Sequence, residues 1–85
     1  MNNTPNDHDY TDATLFDTEL LIELANKVMP FGKYEGRTLI DLPEPYVLWL
    51  MNHAPPKGRL GDLMALLHTV KVNGLEPLIE PLRNT

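Results

Sequence analysis

Residues 29–42 read Met29-Pro30-Phe31-Gly32-Lys33-Tyr34-Glu35-Gly36-Arg37-Thr38-Leu39-Ile40-Asp41-Leu42, and how they are read decides the fold. Gly32 and Gly36 bracket a five-residue connection between two short runs, Met-Pro-Phe and Arg-Thr-Leu-Ile. Glycine supplies the positive φ that such a connection demands, so the stretch predicts a small β-hairpin over residues 29–42. Pro30 has no N–H to give to a ladder, which confines its strand to an edge. A two-stranded hairpin is marginal alone and must lean on helices.

The flanks supply them. Upstream, Leu20, Leu21, Leu24, Ala25 and Val28 recur at helical spacing. Thr14 or Asp17 is placed to cap this first helix, Glu19 complements its dipole, and Pro30 is expected to end it. Downstream, a second helix begins at Leu42-Pro43-Glu44-Pro45, where prolines suit a first turn, and Pro55-Pro56 stop it. Its residues Tyr46, Leu48, Trp49, Leu50 and Met51 are apolar nearly all round. That predicts the most buried element, with Tyr46 and Trp49 in the core. A third helix is expected from Lys57-Gly58-Arg59 to Asn73-Gly74, with Leu60, Leu63, Met64, Leu67 and Val70 facing inward. Gly74 suits its C-terminal cap, and Lys71 its last turn. The tail from Leu75 to Leu82 is expected to make one short helical turn that closes the core. The predicted fold class is mainly α (α+β), three main helices packed around a small β-hairpin. Residues 14–85 form a single small helical domain behind a disordered acidic arm, residues 1–13, too poor in apolar groups to offset the entropy of ordering.

Composition removes several chemistries. The 85 residues suffice for one domain. They include no cysteine and no serine, which excludes disulfides, thiolate chemistry and Ser-His-Asp hydrolysis. No apolar run nears the roughly 20 residues that span a bilayer. The polar, acidic start from Met1 to Tyr10 does not read as a signal peptide, so a cytoplasmic protein is expected. The net charge of −5 is unevenly spread. Residues 1–26 hold six acidic groups and no Lys or Arg, whereas residues 27–75 hold six basic groups against four acidic ones. The acidity belongs to the front, and the mildly basic body stays compatible with a polyanion partner.

Two clusters stand out as candidate sites. The Gly-framed loop carries Lys33, Tyr34 and Arg37, a set able to meet a phosphate backbone and stack a base. The same residues also read as a plain turn in which Tyr34 packs on a helix. The loop is not a P-loop, since no earlier glycine has the spacing and Tyr follows Lys33. Lys57 and Arg59 lie at the start of the third helix, where unpaired N–H groups favour anions. Alternatively, Gly58 and Gly61 there permit close packing against the Trp49 helix. His8, His53 and His68 lack ligand spacing, so neither a metal nor a cofactor is expected.

Met29 to Arg37, Leu42-Pro43-Glu44-Pro45-Tyr46-Val47-Leu48-Trp49, Lys57-Gly58-Arg59-Leu60-Gly61 and Lys71-Val72-Asn73-Gly74-Leu75 together resemble a bacterial family of short proteins described as putative quorum-sensing-regulated virulence factors. The likeness spans roughly residues 17 to 83, and the description concerns regulation rather than a reaction. Residues 29 to 51 are also similar, more loosely, to a module at the C-terminus of exonuclease X-like DNA-processing proteins. That likeness implies a nucleic-acid-associated accessory module, with Lys33, Tyr34 and Arg37 as first contacts and Lys57 and Arg59 as second. Glu35 departs from it, standing where such sequences place a second basic residue. The functional expectation is a non-enzymatic module with weak, salt-dependent nucleic-acid binding. The alternative is a protein-interaction or regulatory adaptor that acts through a protein partner or as a homodimer.

Overall fold

Helix α1 (Thr18–Asn26) starts at Asp17, whose carboxylate accepts a hydrogen bond from the Glu19 N–H at 2.7 Å. This computed structural model describes residues 17–84, so Thr14 and the arm of residues 1–13 lie outside the described residues. The helix ends at Asn26, before Pro30 is reached, because Lys27 is already extended and Val28 is engaged with Thr38. Leu24 and Ala25 are buried. Val28, expected on the same stripe, lies beyond the helix and is exposed.

The β-hairpin expected over residues 29–42 does not form. Pairing among the described residues is limited to one antiparallel bridge between Val28 and Thr38. Around it the Met29 N–H donates to the Arg37 carbonyl, the Gly36 N–H to the Met29 carbonyl and the Leu39 N–H to the Lys27 carbonyl, each at 2.8 Å. These bonds close the mouth of a loop and go no further. Pro30 has no N–H to extend them. Beyond Thr38 the chain tightens at once into a 3-10 turn, Leu39–Asp41. Leu39 and Ile40 are both buried, whereas a ribbon covered on one face buries alternate residues. The turn chemistry does hold, since Gly32 and Gly36 have φ of 80° and 88°. The described fold is therefore helical, with an ordered loop where the hairpin was expected.

Helix α2 (Glu44–His53) buries Val47 and Leu50 against helix α3 (Gly58–Val72). It is not the most buried element, and Trp49 is not in the core. Trp49 is 51 % exposed and Leu48 44 %, because the side of α2 that packs on α3 is the one carrying Val47 and Leu50. The most buried helix is α3, through Leu63, Met64, Leu66, Leu67 and Val70. A Cβ on Gly61 would run into the Pro56 carbonyl oxygen, so the first turns of α3 lie directly on the segment that ends α2. Gly58 takes no part in that approach. At the far end the Gly74 N–H bonds to the Lys71 carbonyl and the Leu75 N–H to the Val70 carbonyl, a Schellman closure.

Helix α4 (Glu76–Ile79) and a 3-10 turn, Glu80–Leu82, bring the tail back onto α1 and bury Ile79. Polar contacts clasp it there. The Asn26 amide donates to the Ile22 and Leu82 carbonyls, each at 2.9 Å, and its oxygen accepts from the Asn84 N–H. Arg83 forks between Asp41 and Glu80 and holds both carboxyls below their ordinary range. Lys71 Nζ donates to the Ile40 carbonyl at 2.7 Å and lies 3.7 Å from Glu76, tying α3 to the first 3-10 turn.

Candidate functional site

The loop that closes at Val28 and Thr38 is pressed against α2 through aromatic rings. Gly32 brings its backbone so close to α2 that a Cβ there would stand 3.0 Å from the Tyr46 hydroxyl. The half-buried Tyr34 meets Tyr46 edge-on, with centroids 4.7 Å apart and planes at 69°. Lys33 and Arg37 both lie over the Tyr34 ring, with Nζ 5.5 Å and Cζ 4.9 Å from its centroid. The three loop residues singled out from the sequence are thus brought together around one ring. Tyr34 is at once packed against the core and a platform for two cations.

The row continues along α2. Tyr46 lies near-parallel to Trp49 at 6.3 Å, and Trp49 to His53 at 5.2 Å, with interplanar angles of 19° and 16°. The His53 Nδ1–H donates to the Trp49 carbonyl at 3.0 Å, which holds the last ring in place. Sequence reasoning placed Trp49 and Tyr46 in the core and missed this row. The signal was present in the spacing: positions 46, 49 and 53 fall on one helical face.

Lys57 and Arg59, the second pair expected to bind anions, are not joined to the loop. Arg59 pairs with Glu23 on α1, as does Lys27 at 3.4 Å, and these two cations hold the Glu23 carboxyl below its ordinary range. Arg59 also lines an open cleft of about 290 Å³ with Lys27, Val28, Pro30, Leu39, Leu60 and Leu63. Ion pairs therefore sort the basic residues. Lys27, Arg59, Lys71 and Arg83 have carboxylate partners, while Lys33, Arg37 and Lys57 have none among the described residues. Glu35 stands on the same loop, exposed, and reduces its net charge to +1. Among the described residues no three His, Asp or Glu side chains gather into a metal-binding cluster. No helix among them is long and apolar enough to cross a membrane.

Residues 17–82 match the model of the family described as "Putative quorum-sensing-regulated virulence factor". The chain belongs to this family. The match takes in the loop, the α2 row and the start of α3, so every residue of the candidate site falls inside it. A relative in Escherichia coli (strain K12), "Uncharacterized protein YpeB", is 52 % identical over 68 residues, covering 79 % of this chain and 94 % of the relative. The protein of the same name in Escherichia coli O157:H7 matches to the same extent. No solved structure matches. The family description concerns when a protein is made and names no reaction or ligand. The likeness to the exonuclease X-like module rests on residues 29–51 of the sequence and on none of these matches.

Proposed function

We propose that this family member is a non-enzymatic nucleic-acid-binding module whose contact face is the Lys33–Arg37 loop together with the aromatic row of α2. One observation carries the reading: two cations without carboxylate partners among the described residues share the Tyr34 ring, at the head of a row that ends in exposed side chains. Cations free of ion pairs can neutralise phosphates without first breaking a contact in the fold. Few such cations exist here, so binding is weak and steeply salt-dependent. Arg59, held by Glu23, plays no part in the first contact.

An NMR titration of the labelled protein with short oligonucleotides at low salt tests this. Amide shifts on residues 32–37 and along α2 that fade as salt rises are expected. The K33A/R37A double variant is expected to remove most of the binding. Undiminished binding by that variant, or shifts confined to other surfaces, overturns the proposal.

A second reading rests on the exposed, adjacent Leu48 and Trp49, an apolar pair suited to a protein partner or a second copy. It replaces the first if oligonucleotides leave the spectrum unchanged while α2 resonances broaden with protein concentration. In the tail Ile79 is buried and Leu75 and Leu82 pack on the core, while Leu78 is exposed and adds a further apolar contact for such a partner.

A further inference from the structure

The nucleic-acid reading leaves open whether the ligand is a duplex or a single strand. We infer that the face takes a single strand, laid along the row from the Tyr34 loop past Trp49 to His53, with Lys57 meeting a phosphate at the far end. The inference rests on that reading and adds the ligand class and the path.

Three features of the face point this way. First, the groups on offer are mostly rings. Tyr34, Tyr46, Trp49 and His53 form one continuous series, while cations without carboxylate partners among the described residues stand at its loop end and at Lys57, four residues beyond His53. A duplex hides its base faces within its own stack and would meet only the cations. Three cations, offset in part by Glu35, give little grip on a phosphate lattice alone. An unpaired strand presents base faces as well, and stacking on rings adds attraction that every base can supply.

Second, the row is preformed. The near-parallel planes and the bond from His53 to the Trp49 carbonyl fix the rings before any ligand arrives. Little side-chain freedom is then lost on binding. Third, the ring at each end is treated differently. Tyr34 is covered by Lys33 and Arg37, whereas His53 is exposed with Trp49 as its ring neighbour. The open place for an added base is therefore the His53 end, and Lys57, four residues further along the chain, is the cation assigned to its phosphate. Trp49, held between Tyr46 and His53, contributes through its exposed edge and by supporting the His53 ring.

The test uses the full chain and its single tryptophan, Trp49, as reporter. Fluorescence is followed on adding a single-stranded oligonucleotide about ten nucleotides long, within the range one small single-strand-binding fold covers. The same sequence as a blunt duplex is added in parallel, each over a series of salt concentrations. The single strand is expected to change Trp49 emission and to bind about tenfold or more tighter than the duplex. H53A, at an exposed position, is expected to lose several-fold in single-strand affinity while leaving duplex affinity unchanged. K57A is expected to reduce the salt slope by about 0.7, the share of one phosphate on a single strand. Emission reports only on wild type, H53A and K57A. W49A is followed by anisotropy of a labelled oligonucleotide and is checked by circular dichroism for retained helix. Equal affinity for strand and duplex with H53A silent overturns the single-strand inference while leaving phosphate contact at the loop intact. Absence of binding to either ligand overturns the nucleic-acid reading itself, and this inference with it.

Discussion

Two sides of this small molecule use charge in opposite ways. On the side where the tail returns, Arg83 joins Asp41 and Glu80, Lys71 holds the Ile40 carbonyl and Glu76, and Asn26 ties down Leu82 and Asn84. At the loop and along α2, Lys33 and Arg37 sit over Tyr34 with no carboxylate within ion-pair distance among the described residues, although Arg37 still acts on Asp41 at longer range, and Trp49 and His53 stand at the surface. The first arrangement spends its polar groups on internal contacts. The second leaves its cations on an aromatic ring, without such contacts among the described residues. Charge content alone would not separate the two, because each side carries basic and acidic residues close together in sequence.

The contrast breaks most visibly in the core beneath the clasp. Leu39 is fully buried in the 3-10 turn that Lys71 holds, and L39A is expected to cost about 2–5 kcal/mol in a urea unfolding titration. A loss under 1 kcal/mol would mean that the turn is not part of the core. Next in size, N26A removes two hydrogen bonds that link α1 to the tail, with a third inside α1, and is expected to cost about 1–3 kcal/mol. Smaller again is the response to acid. Asp41, Glu80 and Glu23 are each held below their ordinary pKa by an arginine, so the folded state binds fewer protons than the unfolded one. Their contribution is present above the unfolded carboxylate range, near pH 4, and is lost as pH falls through the lower folded values. Thermal unfolding is expected to drop below about pH 4 and to drop less in D41N, with salt blunting the effect. An unchanged acid response in D41N would show that Arg83 does not depend on that partner. The smallest effect belongs to the open side. K33A and R37A are expected to leave stability within about 0.5 kcal/mol of the parent, as surface substitutions do, whatever they do to ligand binding. A clear loss of stability in either would place Tyr34 and its two cations in the scaffold rather than in a contact face.

Much of the architecture could be read from the chain. Asp17 caps α1 as expected, Pro43 and Pro45 open α2, Pro55-Pro56 close it, and α3 runs to the Gly74 closure. All are local devices, decided by residues within a turn of one another. The hairpin failed for a non-local reason. Gly32 and Gly36 require only a turn, and the path of the chain after Thr38 is set by the burial of both Leu39 and Ile40 rather than by pairing. In the candidate site, the grouping of Lys33, Tyr34 and Arg37 could be foreseen because they share one loop. The α2 row was missed because an apolar helix gives no hint of which side will be covered.

The sequence by itself determined where α2 and α3 lie and where the chain turns, because capping groups, prolines and glycines act over a few bonds, whereas the end of α1 at Asn26 was set by the bridge from Val28 to Thr38. It also determined that these 85 residues offer no thiol and no serine hydroxyl, since a side chain that is not encoded cannot be folded into being. Only the tertiary structure decided that Trp49 faces outward while Val47 and Leu50 face α3, and that Arg59 is taken by Glu23 while Lys33, Arg37 and Lys57 are left without carboxylate partners among the described residues. Burial and ion pairing depend on which surfaces meet, and residues distant in the chain settle that together.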